Sequence, residues 1–438
     1  MTISTVMGDD MTGCMDAGLQ LVKKGYRVSV AVSSKDIGFL ALQSDVVVVD
    51  TESRNAAPEE AQNKVRDLTK NMDALGYRLI YKKVDSTLRG NIGSELEALI
   101  QDHRYDLIVF APALPYGGRT TRDGIHYVNS LELTQSDIAK DPFSPVNSSY
   151  IPHIINYQTN LKVAAIGLSE VRQGACGLSA RFDDSCRKGF NVAVTDAETE
   201  EDLANIAAAL KNCKSKVLAC GSAGLFRYMM EEKIRGLAES DELQFKYKSP
   251  KGPVLVVSGS PAEAAKRQLE NLREKGVRVL SLDMENRRRQ NPGWLHEVEN
   301  IKKEAVKTLL RGDDIVIDGA GEGKAQIHEA YKSSPDSLKE MSTVIQDTIS
   351  EIFECVSREA RIGGAVIVGG DTVFNICKRL SVRGLVISGE IEPLIPCGFA
   401  AGGRIDGMPL VTKAGGFGSP DAILKSIRYL KGDKYDGK

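Results

Sequence analysis

Two adjacent carboxylates, Asp9 and Asp10, end an apolar, β-prone run in the stretch MTISTVMGDDMTGCMDAG. Thr2 to Met7 reads as a short buried strand interrupted by Gly8, while Ala17, Leu21 and Val22 fall at helical spacing up to a stop at Gly25. The acids therefore sit on a strand-to-helix turn. One acid there is explained by helix capping, with Asp10 or Thr12 accepting an orphan amide proton. A second acid is not, since only one can cap and the other carries a desolvation or repulsion cost without a partner. In an open α/β sheet ligands bind outside the carboxyl ends of the strands, so such a turn presents its side chains to a crevice.

A second concentration of charge lies in YKKVDSTLRGNIGSELEALI, from Tyr81. A strand there ends in Lys82, Lys83, Asp85, Ser86, Thr87 and Arg89, and Gly90 and a helix follow. Arg54, in DTESRN, stands at the end of the preceding strand. In a parallel sheet these ends share one edge with Asp9 and Asp10. An acidic pair facing several cations suits a substrate with a carboxylate and hydroxyls, and Arg54 could grip the carboxylate with a two-pronged hydrogen bond. The competing explanation is a solvated charge cluster with a helix cap at Ser86 or Asn91.

In the second half glycines follow strands three times, in VVSGSPAEA at Ser258, IVGGDTVFN at Gly369 and TKAGGFGSPD at Ala414. Glycine at such junctions lets backbone amides approach phosphates, and a helix amino terminus adds partial positive charge. Glycine is also the ordinary turn residue, so it is the repetition that points to a nucleotide crevice. DGAGEGKAQ imitates a phosphate-binding loop, yet G-x-x-x-x-G-K-[ST] would need glycine at Asp318 and a hydroxyl at Ala325. The adjacent aspartates of GDDMT lack D-x-D-x-T spacing, and H-E-x-x-H, G-x-S-x-G and H-R-D signatures are missing. The five histidines are scattered, and His126 alone falls within an unusual loop.

The elements that must position these residues alternate. Candidate strands at RVSVAV, DVVVVD, RLIYKKV, DLIVFA, NVAVTD and KVLACG are mostly separated by amphipathic stretches such as PEEAQNKVRDLTKNMDALG. That is the βαβ rhythm of a parallel sheet covered by helices. Pro112 to Pro152 breaks it with a long segment punctuated by Pro and Gly, a length usually associated with function or irregular structure. GLAESDELQFKYKSPKGP, Gly236 to Pro253, is polar and marks a boundary, after which strands recur at VLVVSG, VRVLSL, DIVIDG, AVIVGG, LVISGE and PLVTKA.

The expected fold is α/β with two domains, 1–240 and 254–438, each a mainly parallel sheet flanked by helices. The chain's 438 residues with 42% hydrophobic content agree with this, since single cores stop growing near ~250 to 300 residues. A formal charge of −2, from 57 basic and 59 acidic residues, and the lack of a basic block speak against nucleic acid and membrane surfaces as partners. Eight cysteines without a C-x-x-C pair read as free thiols in a reducing compartment. A strand beginning at residue 2 and the lack of a long apolar run lead us to expect a cytoplasmic protein.

In order and spacing, GDDMTGCMDAG, KKVDSTLRGNIGSELEAL, PALPYGGRTTRDGIHYVNSLELTQSDIAKDPFSPV, VSGSPAEAAKRQ, VGGDTVFN and KAGGFGSPDA resemble the four-carbon acid sugar kinase family, over nearly the whole chain. The resemblance implies an amino-terminal substrate domain, a carboxyl-terminal nucleotide domain, an active site in the cleft between them, and ATP-dependent phosphorylation of threonate, erythronate or 3-oxo-tetronate. It maps the family's aspartate pair to Asp9 and Asp10 and its substrate arginine to Arg54. Its K-x-D-S-T-x-R-G run falls on Lys83, Asp85, Ser86, Thr87 and Arg89. The nucleotide contacts map to Ser258, to the turn of Gly369, Gly370, Asp371 and Thr372, and to Gly415 and Gly416.

On this basis Asp10, or else Asp9, takes the proton of the attacking hydroxyl, and Lys83 and Arg89 bind anionic oxygens. Mg²⁺ bridges the phosphates as in kinases generally, without an assigned protein ligand, and domain closure excludes water. The expected partners are a small sugar acid and ATP, with a homo-oligomer left open. The chain departs from the family at Asp371, Val373, Leu394 and Gly416, all in the nucleotide half. Those departures keep two alternatives: a binding or sensing protein that does not transfer phosphate, and a kinase for a different hydroxy acid.

Overall fold

The computed structural model describes residues 4–101, 104–141, 143–231, 251–283, 292–321 and 335–433, with the backbone alone at 335–339. The chain divides into two units, 1–233 and 234–438. Most of the polar boundary expected at Gly236 to Pro253, through residue 250, lies outside the described residues, as do His103, His328 and the end of the phosphate-loop imitation.

The first unit is built on eight parallel strands. They are β1 (Ser4–Gly8), β2 (Val28–Ala31), β3 (Val46–Asp50), β4 (Arg78–Lys83), β5 (Leu107–Ala111), β9 (Val163–Ile166), β10 (Val192–Thr195) and β11 (Val217–Gly221), in the spatial order β2-β3-β1-β4-β11-β5-β10-β9. Buried parallel strands read as continuous apolar runs, and Val46 to Val49 are all shut away from solvent. The helix Pro58–Ala74 follows β3 with Pro at its first position, Glu59 and Glu60 in its first turn, and Ala61, Val65, Leu68 and Met72 buried along one stripe. β1 lies between β3 and β4, with Gly8 opposite Asp50 and Met7 opposite Lys82. The loops leaving these three strands therefore emerge side by side.

The segment that breaks the rhythm, Pro112 to Pro152, is partly ordered as an antiparallel sheet of β6 (Arg119–Arg122), β7 (Ile125–Val128) and β8 (Leu131–Glu132). In the second unit the strands are β12 (Val254–Ser258), β13 (Arg278–Ser281), β14 (Ile315–Asp318), β15 (Gly364–Val368), β16 (Gly384–Glu392), β17 (Ile395–Ala401) and β18 (Pro409–Lys413), in the order β13-β14-β12-β15-β18-β17-β16. The first five of that order are parallel, and β17 runs antiparallel to both its neighbours. β17 was not foreseen, because Pro396 and Gly398 break its apolar run. Val254, Val256, Val366, Val368 and Val411 pack on the helices Glu263–Glu274 and Ala422–Lys431 to form one core layer. Among the described residues no helix is long and apolar enough to cross a membrane.

Candidate active site

Asp10 caps the helix Met11–Val22 from extended backbone, its Oδ1 accepting the Gly13 amide proton at 2.9 Å. The same Oδ1 receives Arg54 Nη2 at 2.6 Å, while Arg54 Nε and Nη2 reach the two oxygens of Asp9 at 2.8 and 3.1 Å. Both oxygens of Asp9 are thus occupied, whereas Oδ2 of Asp10 and Nη1 of Arg54 make no hydrogen bond among the described residues. Burial pushes the Asp9 carboxyl up, but Arg54, Lys82 and Lys83 outweigh it and hold the group below its ordinary range.

The loop that carries Arg54 is fixed at several points. Its Ser53 and Arg54 amides donate to Asp9 O, and Asn91 Nδ2 donates to Ser53 O and Ala56 O at 2.8 Å each. Thr51 Oγ1 donates to Gly8 O and meets Ser53 Oγ, which in turn donates to Glu95. Glu95 Oε2 lies 2.6 Å from Lys82 Nζ, and both side chains are fully buried. Glu95 and Asp9 keep the Lys82 ammonium charged against the effect of its burial.

Lys83 Nζ, also buried, donates to Val84 O at 2.9 Å and has no carboxylate within 4 Å among the described residues. A Cβ at Gly13 would stand 2.6 Å from Asp10 Oδ1 and 2.9 Å from Lys83 Nζ, so the bare glycine makes room for both groups. The 85–89 run closes on itself: Asp85 Oδ2 accepts from Thr87 Oγ1 and Arg89 Nε, both at 2.6 Å, and Arg89 Nη1 reaches Asp141 at 2.9 Å. Burial opposes ionisation of Asp85, yet Arg89 and Arg54 hold its carboxyl far below the usual range. Gly90 has φ +99°, and a Cβ there would come within 3.1 Å of Arg54 Cγ.

The imidazole of His126 bridges Ser86 O at 2.8 Å and Thr121 Oγ1 at 3.0 Å, and burial pushes it down to about 4. It is a neutral fastening between β7 and the 85–89 run. Asp50, which sequence reasoning passed over, ends β3 with Oδ1 accepting the Glu52 amide and Oδ2 buried without a partner. Burial raises its carboxyl.

In the second unit β12, β15 and β18 are neighbours, and Ser258, Val368 and Lys413 stand in register at their carboxyl ends. Gly369, at φ +115°, precedes the helix Gly370–Arg379. Around Gly259 the polar atoms Ser258 Oγ, Thr372 Oγ1 and Gln346 Oε1 are buried without hydrogen-bond partners. A Cβ at Gly259 would be 2.4 Å from Thr372 Oγ1 and 2.9 Å from Gln346 Nε2. Leaving such groups unmade costs about 1 to 3 kcal/mol each, so three together mark a place for a polar ligand. Gly415 is pressed on Ser260, whose Oγ would lie 1.8 Å from an added Cβ, while Gly416 borders open space and Asp371 is exposed in the first helical turn. Gln346 was not foreseen; its only signal was a polar side chain within the apolar stripe of Ile345, Ile349 and Ile352.

Hydroxyl and amide donors beside a helix amino terminus fit the phosphate chain of a nucleotide. Among the described residues no group of three His, Cys, Asp or Glu could hold a metal ion. Mg²⁺ in such a site would be carried chiefly by phosphate oxygens and water.

A family model described as a sugar-binding N-terminal domain matches residues 4–229, and one described as a nucleotide-binding C-terminal domain matches residues 255–423. The chain is 33% identical to a D-threonate kinase of Salmonella typhimurium, over 97% of this chain and 98% of that one. It is 28% identical to a D-erythronate kinase of Heliobacterium modesticaldum (98% and 97% covered) and 26% identical to a 3-oxo-tetronate kinase of Pseudomonas fluorescens (97% and 96% covered). Crystal structures from Salmonella typhimurium (TM-score 0.78, 22% identity, 98% and 100% covered) and Haemophilus influenzae (TM-score 0.70, 23% identity, 98% and 99% covered) share the fold.

Proposed function

Since the chain belongs to the four-carbon acid sugar kinase family, we propose that it transfers the terminal phosphoryl group of ATP to a hydroxyl of a four-carbon sugar acid of the threonate, erythronate or 3-oxo-tetronate type. The observation that carries this reading is the unengaged Oδ2 of Asp10, on a carboxylate whose other oxygen is anchored by Gly13 and Arg54. An acceptor hydroxyl donating to Oδ2 gives up its proton there as its oxygen bonds to phosphorus and the bond to the ADP oxygen breaks. Asp9 is the poorer base because Arg54 occupies both of its oxygens.

Arg54 holds Asp10 in place through Oδ1 and offers Nη1 to the carboxylate of the acceptor, and Lys83 adds a second cation. The remaining work is positioning, which in phosphoryl transfer supplies most of the acceleration. The Ser258 and Thr372 hydroxyls and the amides at Gly370 receive the nucleotide's phosphates, whose oxygens would carry Mg²⁺ and gain charge neutralisation from it. A coupled ADP-release screen over D- and L-threonate, D-erythronate and 3-oxo-tetronates tests the reading. Turnover with at least one acid is expected. Folded protein that binds ATP and releases no ADP with any of them would overturn the four-carbon acid reading and favour a sensor.

A further inference from the structure

Two lysines are buried among the described residues of the second unit. Lys302 is paired with Glu299 and Glu351 at 2.6 Å each. Lys413 has no carboxylate within 4 Å among the described residues and is 2% exposed. Its Nζ donates to Ala414 O at 2.8 Å and Gly415 O at 3.2 Å, which leaves one of three ammonium protons unused. Among the described residues the acid whose charge reaches it is Glu392, which is taken up by Lys425 and by the amide and hydroxyl of Ser419.

An ammonium buried without a counter-charge is unfavourable, and burial pulls Lys413 down to about 8. A lysine that only tied the 413–415 turn would need no charge. The residue stands at the end of β18, where Gly369 N donates to its carbonyl at 2.8 Å just ahead of the helix Gly370–Arg379. The turn it ties packs Gly415 on Ser260, two residues after the unpartnered Ser258 hydroxyl. The chain has no G-x-x-x-x-G-K-[ST] loop, so a lysine facing the phosphates is to be sought on another element.

We propose that Lys413 is that cation, binding the phosphate chain of the nucleotide as its missing counter-charge; this role rests on the reading of the second unit as the ATP-binding half. Calorimetry on the full chain with adenosine, ADP and ATP at fixed salt tests it. Lys413→Met keeps the aliphatic stem and removes the charge. It is expected to weaken ADP and ATP by about 10-fold or more, as for a lost charged hydrogen bond, with adenosine held within about 2-fold. Lys413→Arg should recover part of the loss. Equal weakening of adenosine and ATP, or no change in either, would mean that the lysine serves only the turn.

Should Lys413→Met fail to fold, Lys413→Gln retains a donor for the turn carbonyls without the charge, and the same comparison decides. Wild-type protein that binds no nucleotide overturns this role and the kinase reading together. Nucleotide binding with the expected selectivity but no ADP release with any sugar acid leaves the role of Lys413 standing and removes the kinase reading alone.

Discussion

Asp10 combines two roles that a reading of the sequence sets against each other: it caps a helix and it takes part in a charge cluster. Two substitutions separate them. Asp10→Asn keeps the cap, since Asn caps as well as Asp, and Asp9 still neutralises Arg54, so the melting temperature should hold. It cannot accept a proton, so kcat should fall by about 100-fold or more while acceptor KM moves little. Asp10→Ala should add a stability loss near ~1 kcal/mol. An active Asp10→Asn enzyme would move the base to Asp9 or Asp85. Arg54 tests differently, because its guanidinium spans both aspartates from a site only 12% exposed. Arg54→Ala strands the buried Asp9 carboxylate, so denaturant melts should show a loss on the order of 3 kcal/mol besides a raised acceptor KM. A raised KM with unchanged stability would show that the ion pair holds nothing in place.

Glycine 13 works at the scale of an element. Alanine in an exposed helix interior gains roughly 0.8 to 1 kcal/mol over glycine. Here the added Cβ would collide with Asp10 Oδ1 and Lys83 Nζ. Gly13→Ala should therefore depress kcat/KM for the acceptor strongly without a matching fall in Tm, and full activity would show that the two groups can separate freely.

The β6–β8 sheet is fastened to the 85–89 run through His126. Its folded value of about 4 lies below the ordinary 6.5, so the unfolded chain takes up the proton first as pH falls. The contribution is complete above pH 6.5, declines toward pH 4 and is gone below, a loss of no more than about 3 kcal/mol. Urea melts of wild type and His126→Gln should converge across that window; a constant gap would remove the linkage.

Strands such as β1, β3 and β15 were legible because a buried parallel strand is apolar along its length. β9, an edge strand that holds two alanines with Ala165 exposed, and β17, broken by Pro396 and Gly398, were not. Asp9, Asp10, Arg54 and the 85–89 run could be picked out because charge gathers at strand ends. Gly13, Asn91, Glu95 and Gln346 could not, because their roles arise from approach between distant segments and leave no spacing to read.

Over the whole molecule the eight cysteines are free, and Cys14, Cys220, Cys377 and Cys397 are buried. Burial raises each of these four thiols, Cys377 to about 12, so they should stay silent to a thiol reagent in native buffer and react only in denaturant. Removing reductant should leave Tm unchanged; fast native labelling of all eight would contradict the burial. The four anchors on the loop bearing Arg54 also bear on how substrate range can change over generations. A loop clamped by Gly8, Asp9, Asn91 and Glu95 tolerates few neutral steps, whereas Asp141 touches the 85–89 run through a single bond to Arg89. Selection for new sugar acids should therefore fix its substitutions around residue 141 and leave residues 51–56 unchanged.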